Sequence, residues 1–208
     1  MRMPSIALAA ALLLPASAFA TPKIGAPAPA FELKDVDGKT RSLAELKGKI
    51  VVLEWTNDGC PYVKKHYETG NMQKLQRDAQ KEGVVWVTIN SSAPGKQGHV
   101  DGDGAKKLLA KHDASPSMYL LDPDGKVGKL YGAQTTPHMY VIDKDGTLVY
   151  MGAIDDKPTS DKADVKTAKN YVVEALAALK AANRMIGLIV RLGGDQPANP
   201  RRRDRRAR

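Results

Sequence analysis

Three apolar runs with helix-like stretches between them constrain the fold of this chain more than any other feature. Ile50-Val51-Val52-Leu53-Glu54-Trp55 is rich in β-branched residues, as a strand covered on both faces is. Val84 to Ile89 and Met118 to Leu121 have the same character. Between the first two, Pro61 to about Arg77 reads as helix, with Val63, Tyr67 and Leu75 at helical spacings and Gly70-Asn71 as a break or kink. Residues 91–104 are rich in Gly, Ser and Asp and read as an exposed loop, followed by a short helix over Ala105 to Lys111. Ahead of the first run, Phe31-Glu32-Leu33 and Lys39-Thr40-Arg41 flank the turn dipeptide Asp37-Gly38, and Ser42 with Glu45 forms a capping-box pattern. After the third run, Tyr140-Val141-Ile142 and Thr147 to Met151 pair around Lys144-Asp145-Gly146. A helix from about Lys162 to Ala182, with Val165, Ala168, Val172, Ala175, Leu176 and Leu179 on one face, closes the order. The sum is an α/β fold: a central mixed sheet flanked by helices, with an N-terminal β-hairpin extension.

The two ends read differently from this body. Arg2, the apolar run from Ile6 to Leu14 and the small-x-small Ala18-Phe19-Ala20 form a secretory signal peptide over residues 1–20, with a mature chain from Thr21. Export to an oxidising space such as a bacterial periplasm follows, with no membrane span, since the apolar run is shorter than the roughly 20 residues needed. Residues 183–208 carry eight arginines against Asp195 and Asp204, and read as a basic, poorly ordered tail. Of the formal net charge of +9, that tail holds +6 and Arg2 one more, so the domain at 21–182 carries only +2. A nearly neutral body does not suit nucleic acid as a partner.

Cys60 is the only cysteine in the chain. It stands between the first apolar run and the helix that follows, directly before Pro61, a residue suited to the first helical turn. Its sulfur is therefore expected at a helix N-terminus, where free amides and the helix dipole favour thiolate, the nucleophilic form. In an oxidising space an unpaired cysteine also needs a reason. A buried structural thiol is the competing reading.

Further residues repeat a pattern seen elsewhere. Gly25-Ala26-Pro27-Ala28-Pro29-Ala30-Phe31 with Leu33 opens it, and the strand leading to Cys60-Pro61 follows. Asp122-Pro123-Asp124-Gly125, Tyr131-Gly132, Thr135-Thr136-Pro137 and Val141-Ile142-Asp143 ahead of Gly146 complete it. With these, residues 23–182 resemble the thioredoxin-fold redoxins of the alkyl hydroperoxide reductase/thiol-specific antioxidant (peroxiredoxin-like) superfamily. The resemblance implies that Cys60 is the reactive cysteine. It implies that Pro137, after Thr136, is the cis-proline lying against it and presenting a backbone edge to substrate, with Pro61 beside it. It implies that Glu54 is the buried acid that relays protons. The chain departs from the pattern at Val63, where a thioredoxin-like pair has its second cysteine. It departs again at Asn57 and Leu53, where a peroxiredoxin has threonine and proline.

The expected activity is thus an exported, single-cysteine thiol oxidoreductase or antioxidant. It would act on a disulfide or peroxide, with an external thiol as reductant and no cofactor. A non-catalytic thioredoxin-fold binding module is the alternative. A copper chaperone drawing on Cys60, His66 and His138 is weaker, because the two-cysteine pattern is missing. Lys64, Lys65 and His66 read as a solvated helix face, and the Asp/Gly-rich segments at 101–104, 122–125 and 143–146 as turns rather than calcium loops.

Overall fold

A computed structural model describes residues 22–194. The expected signal peptide lies outside the described residues, as does the arginine cluster beyond residue 194. The hairpin comes first: β1 (Glu32–Asp35) and β2 (Thr40–Ser42) pair antiparallel, and Ser42 and Glu45 close a capping box on the 3-10 turn Leu43–Leu46. β3 (Val51–Trp55), β4 (Val85–Asn90) and β5 (Met118–Leu121) are the three apolar runs, and β3–β4 and β4–β5 are parallel. β6 (His138–Ile142) and β7 (Leu148–Gly152) form the second antiparallel hairpin. The seven strands lie in the order β2-β1-β5-β4-β3-β6-β7, with β3 interior, between β4 and β6, and buried on both faces.

Period-two alternation divides the core. Val51, Leu53 and Trp55 of β3 join Phe31, Ile89, Leu120, Tyr131 and Tyr140 on one face. Val52 faces the other way, with Val63, Tyr67, Met72, Trp86, Met139, Val141 and Val172. Helices α1 (Pro61–Glu68) and α2 (Asn71–Lys81) supply that second face, and the predicted break between them is Gly70, at φ 73°.

Helix boundaries are where the structure departs from the sequence reading. α3 spans Gly102–His112, not Ala105–Lys111, because the Asp101 side chain caps it by accepting from Gly104 N at 2.7 Å. Gly102 is required there: a Cβ would meet the Val36 carbonyl at 2.4 Å. A short α4 (Lys126–Leu130) follows Asp122-Pro123-Asp124-Gly125, its first amides bound to the buried carboxylate of Asp122. The closing helix is shifted along the chain. Lys162–Lys166 is a 3-10 turn capped by Asp161, and α5 runs from Tyr171 to Gly194, with Asn170 Oδ1 accepting from Val173 N at 3.0 Å. The helix therefore continues through residues 183–194, which the composition assigned to a poorly ordered tail.

Candidate active site

Cys60 is the N-cap of α1 and Pro61 its first helical residue; the Cys60 carbonyl accepts from Lys64 N at 3.0 Å. The loop that delivers it from β3 folds around Asn57, whose Oδ1 takes Gly59 N at 2.8 Å and whose carbonyl takes Cys60 N at 2.9 Å. Cys60 is half-buried, packed on the α1 side of the core, and its Sγ donates to the Thr136 carbonyl at 3.1 Å. The Thr136–Pro137 bond is cis and leads directly into β6. The tertiary fold thus gathers Cys60, Pro61, Thr136 and Pro137, residues 76 apart in the chain, at the ends of β3 and β6.

Two depressions meet at Thr135 and Thr136, the latter's carbonyl facing the sulfur. One, of about 270 Å³, is bordered by Trp55, Thr56, Asn57, Ser91, Ser92 and Ala133 to Thr136. The other, of about 540 Å³, runs from Tyr62, Thr136 and Pro137 to Ile154, Asp155, Pro158 and Tyr171. Tyr62, on the turn after Cys60, is 43% exposed beside it.

Glu54 lies on the α1 side of β3, one layer inward, and is fully buried. Its Oε2 accepts from Trp86 Nε1 at 2.8 Å, Thr88 Oγ1 at 3.0 Å and Gln76 Nε2 at 3.4 Å; its Oε1 accepts from Tyr67 OH at 2.8 Å. Gln76 is oriented by Ser115 N, which donates to its Oε1 at 3.0 Å, so its amide nitrogen must face the carboxylate. Burial pushes the Glu54 carboxyl above its ordinary range, against the opposing pull of the four hydrogen bonds. Trp86 and Gln76 can only donate, so a proton on Glu54 belongs on Oε1, facing Tyr67. None of its hydrogen bonds goes to Cys60.

The sequence reading missed three features around the sulfur. The first is a strap. Residues 91–101, read as an exposed loop, lie across the Cys60 loop: Asn57 Nδ2 donates to the Gln97 carbonyl at 3.0 Å, and Gln97 Nε2 to the Gly59 carbonyl at 3.3 Å. A Cβ at Gly59 would sit 2.6 Å from Gln97 Cγ, and one at Gly98 (φ +76°) 2.0 Å from Asn57 Oδ1. Asn57, in the position of the peroxiredoxin threonine, is thus committed to holding this strap. The second is Asp58, bound by His112 Nε2 at 2.6 Å and Lys111 Nζ at 3.2 Å. Partial burial disfavours its charge, but those hydrogen bonds and the attraction of the same groups outweigh it, so its carboxyl stays below the usual range.

The third is that Lys65 and His66 are not a solvated face: they are 1% and 2% exposed, buried against Asp155, whereas Lys64 alone faces water. The helical spacing that marks Val63 and Tyr67 as core already places these two on the flank of the buried stripe. His138, the other histidine of the copper reading, stacks on Tyr140 at 4.7 Å. Among the described residues, no three His, Cys, Asp or Glu side chains are grouped to hold a metal ion. No helix among them is long and apolar enough to cross a membrane.

Comparison with known proteins places this geometry. The AhpC/TSA family matches residues 24–151. The thiol-disulfide oxidoreductase ResA of Bacillus subtilis is 30% identical over 117 residues, covering 51% of this chain and 65% of that protein. The chain therefore spans just under two thirds of the length of that curated relative. An uncharacterised conserved protein from Geobacillus kaustophilus superposes with a TM-score of 0.58 at 28% identity, over 72% of this chain and 80% of its own. A Chlorobium tepidum protein assigned as thiol:disulfide interchange protein DsbE does so with a TM-score of 0.55 at 25% identity, over 75% of this chain and 99% of its own.

Proposed function

Because the chain belongs to the AhpC/TSA family, as a thioredoxin-fold redoxin, we propose that it is an exported thiol–disulfide exchange protein that works through Cys60 alone. The observation that carries this reading is the sulfur at the N-cap of α1, 3.1 Å from the carbonyl of Thr136. In the reaction, the Cys60 thiolate attacks one sulfur of a substrate disulfide. The substrate S–S bond breaks, a Cys60 mixed disulfide forms, and the leaving thiolate takes up a proton. With no second cysteine in the sequence, an external thiol attacks the mixed disulfide, restores Cys60 and carries away the oxidised equivalent. Thr136 and Pro137 border the approach to the sulfur, Pro61 sets the helix start, and Glu54 serves as the proton reservoir through its Oε1 and Tyr67. The names of ResA and DsbE favour disulfide over peroxide as substrate, and the engagement of Asn57 in the strap favours it further.

The test is whole-protein mass spectrometry after bis(hydroxyethyl) disulfide, with a parallel sample given one equivalent of hydrogen peroxide. Exchange requires a mercaptoethanol adduct on Cys60 that a second thiol removes, absent in Cys60→Ser. Rapid gain of a single oxygen with no mixed disulfide would make the protein a one-cysteine peroxidase. Inertness to both would leave a binding module.

A further inference from the structure

α5 runs on past the body of the domain. Val172, Ala175, Leu176 and Leu179 pack on the second core face, and the Lys180, Ala181 and Ala182 that follow are exposed. At helical spacing the packed stripe falls next on Asn183, so the apolar pattern that serves the sheet stops at Leu179. The helix itself continues to Gly194, about 20 Å beyond Lys180 at 1.5 Å per residue. Over this stretch the sequence begins a second apolar series. Met185, Leu188, Ile189 and Leu192 recur every three or four residues, with Ile186 and Val190 among them, while Arg184 and Arg191 stand two turns apart. Residues 195–208 then add six arginines against two aspartates.

The domain surface that the helix leaves from is cationic as well. Lys49 ahead of β3, Lys144 in the β6–β7 turn and Lys180 on α5 line one depression of about 490 Å³, whose apolar lining is Ile50, Val84 and Leu176. All three lysines are exposed. Against them the depression holds one carboxylate, Glu82, which pairs with Lys180 at 2.8 Å. This end of the sheet is the one opposite the sulfur, because Lys49 precedes β3 and Cys60 follows it. The six extended residues from Lys49 to Trp55 separate the two ends by roughly 20 Å. Among the described residues no helix is long and apolar enough to cross a bilayer. A shorter helical segment that alternates apolar and cationic positions lies in the headgroup layer of an anionic membrane instead, with nearby lysines drawn to the same surface. A nucleic acid or an acidic chain satisfies the lysines and arginines but leaves the apolar series in water; a phospholipid surface takes up both.

We propose that the extension of α5 beyond Leu179, together with Lys49, Lys144 and Lys180, is a docking surface for a membrane that carries anionic phospholipid, and that it holds the protein with Cys60 turned away from the bilayer. The proposal is independent of the chemistry at Cys60. The test is sedimentation of the whole protein with vesicles of equal parts phosphatidylglycerol and phosphatidylcholine, and with vesicles of phosphatidylcholine alone. Partition into the anionic vesicles is expected to be greater by about tenfold or more, and to fall steeply as added salt shortens the Debye length below about 10 Å. Lys49→Gln/Lys144→Gln/Lys180→Gln, all at exposed positions, is expected to weaken it by about tenfold, and Ile186→Asp/Ile189→Asp by as much, each with an unchanged circular dichroism spectrum. No partition, or equal partition into both vesicles, overturns the proposal. Anionic binding that survives the two aspartates is charge attraction alone; it overturns the bilayer as partner and leaves an acidic macromolecule. Binding indifferent to the three lysines overturns the docking surface on the domain. Orientation is read in Cys60→Ser protein with a coumarin attached at an introduced cysteine. The probe at Asp145→Cys, beside Lys144, is expected to be quenched by brominated phospholipid, and the probe at Lys64→Cys, a turn beyond position 60, to be untouched. Equal or reversed quenching overturns the orientation.

Discussion

At the scale of single residues, the glutamate of β3 and the asparagine ahead of Cys60 carry the sharpest expectations. Burial raises the Glu54 carboxyl above its ordinary range, so its contribution to stability is full below the ordinary carboxylate value of 4.5 and is lost as pH rises through its raised folded value. Glu54→Gln keeps an acceptor toward Trp86 and Thr88 and turns its amide toward Tyr67 OH, which can accept. The variant should therefore melt higher than wild type at pH 8, an advantage that disappears as pH falls toward 4.5, as read by thermal unfolding at a series of pH values. If Glu54 also supplies the proton to the leaving thiolate, the same variant slows disulfide exchange by about 10²-fold, measured by stopped flow on the single turnover. Unchanged exchange would reduce Glu54 to a purely structural acid. Asn57→Ala removes one of the two hydrogen bonds that hold Gln97 to the Cys60 loop and leaves the Gly59 amide without its acceptor. A loss of about 1–3 kcal/mol in denaturant unfolding is expected, with residues 91–101 becoming the first site of limited proteolysis.

At the scale of elements, α1 does two jobs with its two ends. Its first residues present the sulfur, and its last turn buries Lys65 and His66 against the segment after β7. Burial lowers His66 to about pH 4, outweighing the favourable charge of Asp155, and Lys65 adds to the lowering. Between its ordinary value near 6.5 and about 4 the unfolded chain binds a proton at this position that the folded chain refuses. Stability from this group is therefore intact above pH 6.5 and lost progressively as pH falls to about 4. Chemical denaturation at pH 7 and pH 4.5 should show a drop in unfolding free energy that is smaller in His66→Gln than in wild type. An equal drop in both would place the acid sensitivity elsewhere.

At the scale of the whole molecule, one sheet joins two core faces, and each holds one tryptophan: Trp55 with Tyr131 and Tyr140, Trp86 with Glu54. Because β3 is packed on both faces, the two cores should melt together. In Trp55→Phe and in Trp86→Phe, the remaining fluorescence transition is expected to superimpose on the far-UV circular dichroism transition; separation in either would mean that the faces unfold independently. The strand order along the chain was readable from the sequence because period-two burial and β-branched runs are local signals, and so was Cys60-Pro61 as a helix start. Helix ends were less readable, since the side chains of Asp101, Asp161 and Asn170 decide them by capping, against the glycines and the continuous apolar spacing that suggested otherwise. The sequence by itself determined the α/β class and the place of the one cysteine, at a helix start directly after the first core strand. Only the tertiary structure decided what surrounds that cysteine: Thr136 against the sulfur, Gln97 strapped over Gly59, Asp155 beneath Lys65. These partners lie 76, 38 and 90 positions apart in the chain, and no local propensity encodes such pairings. They form because packing β6, the 91–101 loop and the segment after β7 around β3 and α1 leaves each of those polar groups one place to find its hydrogen bond.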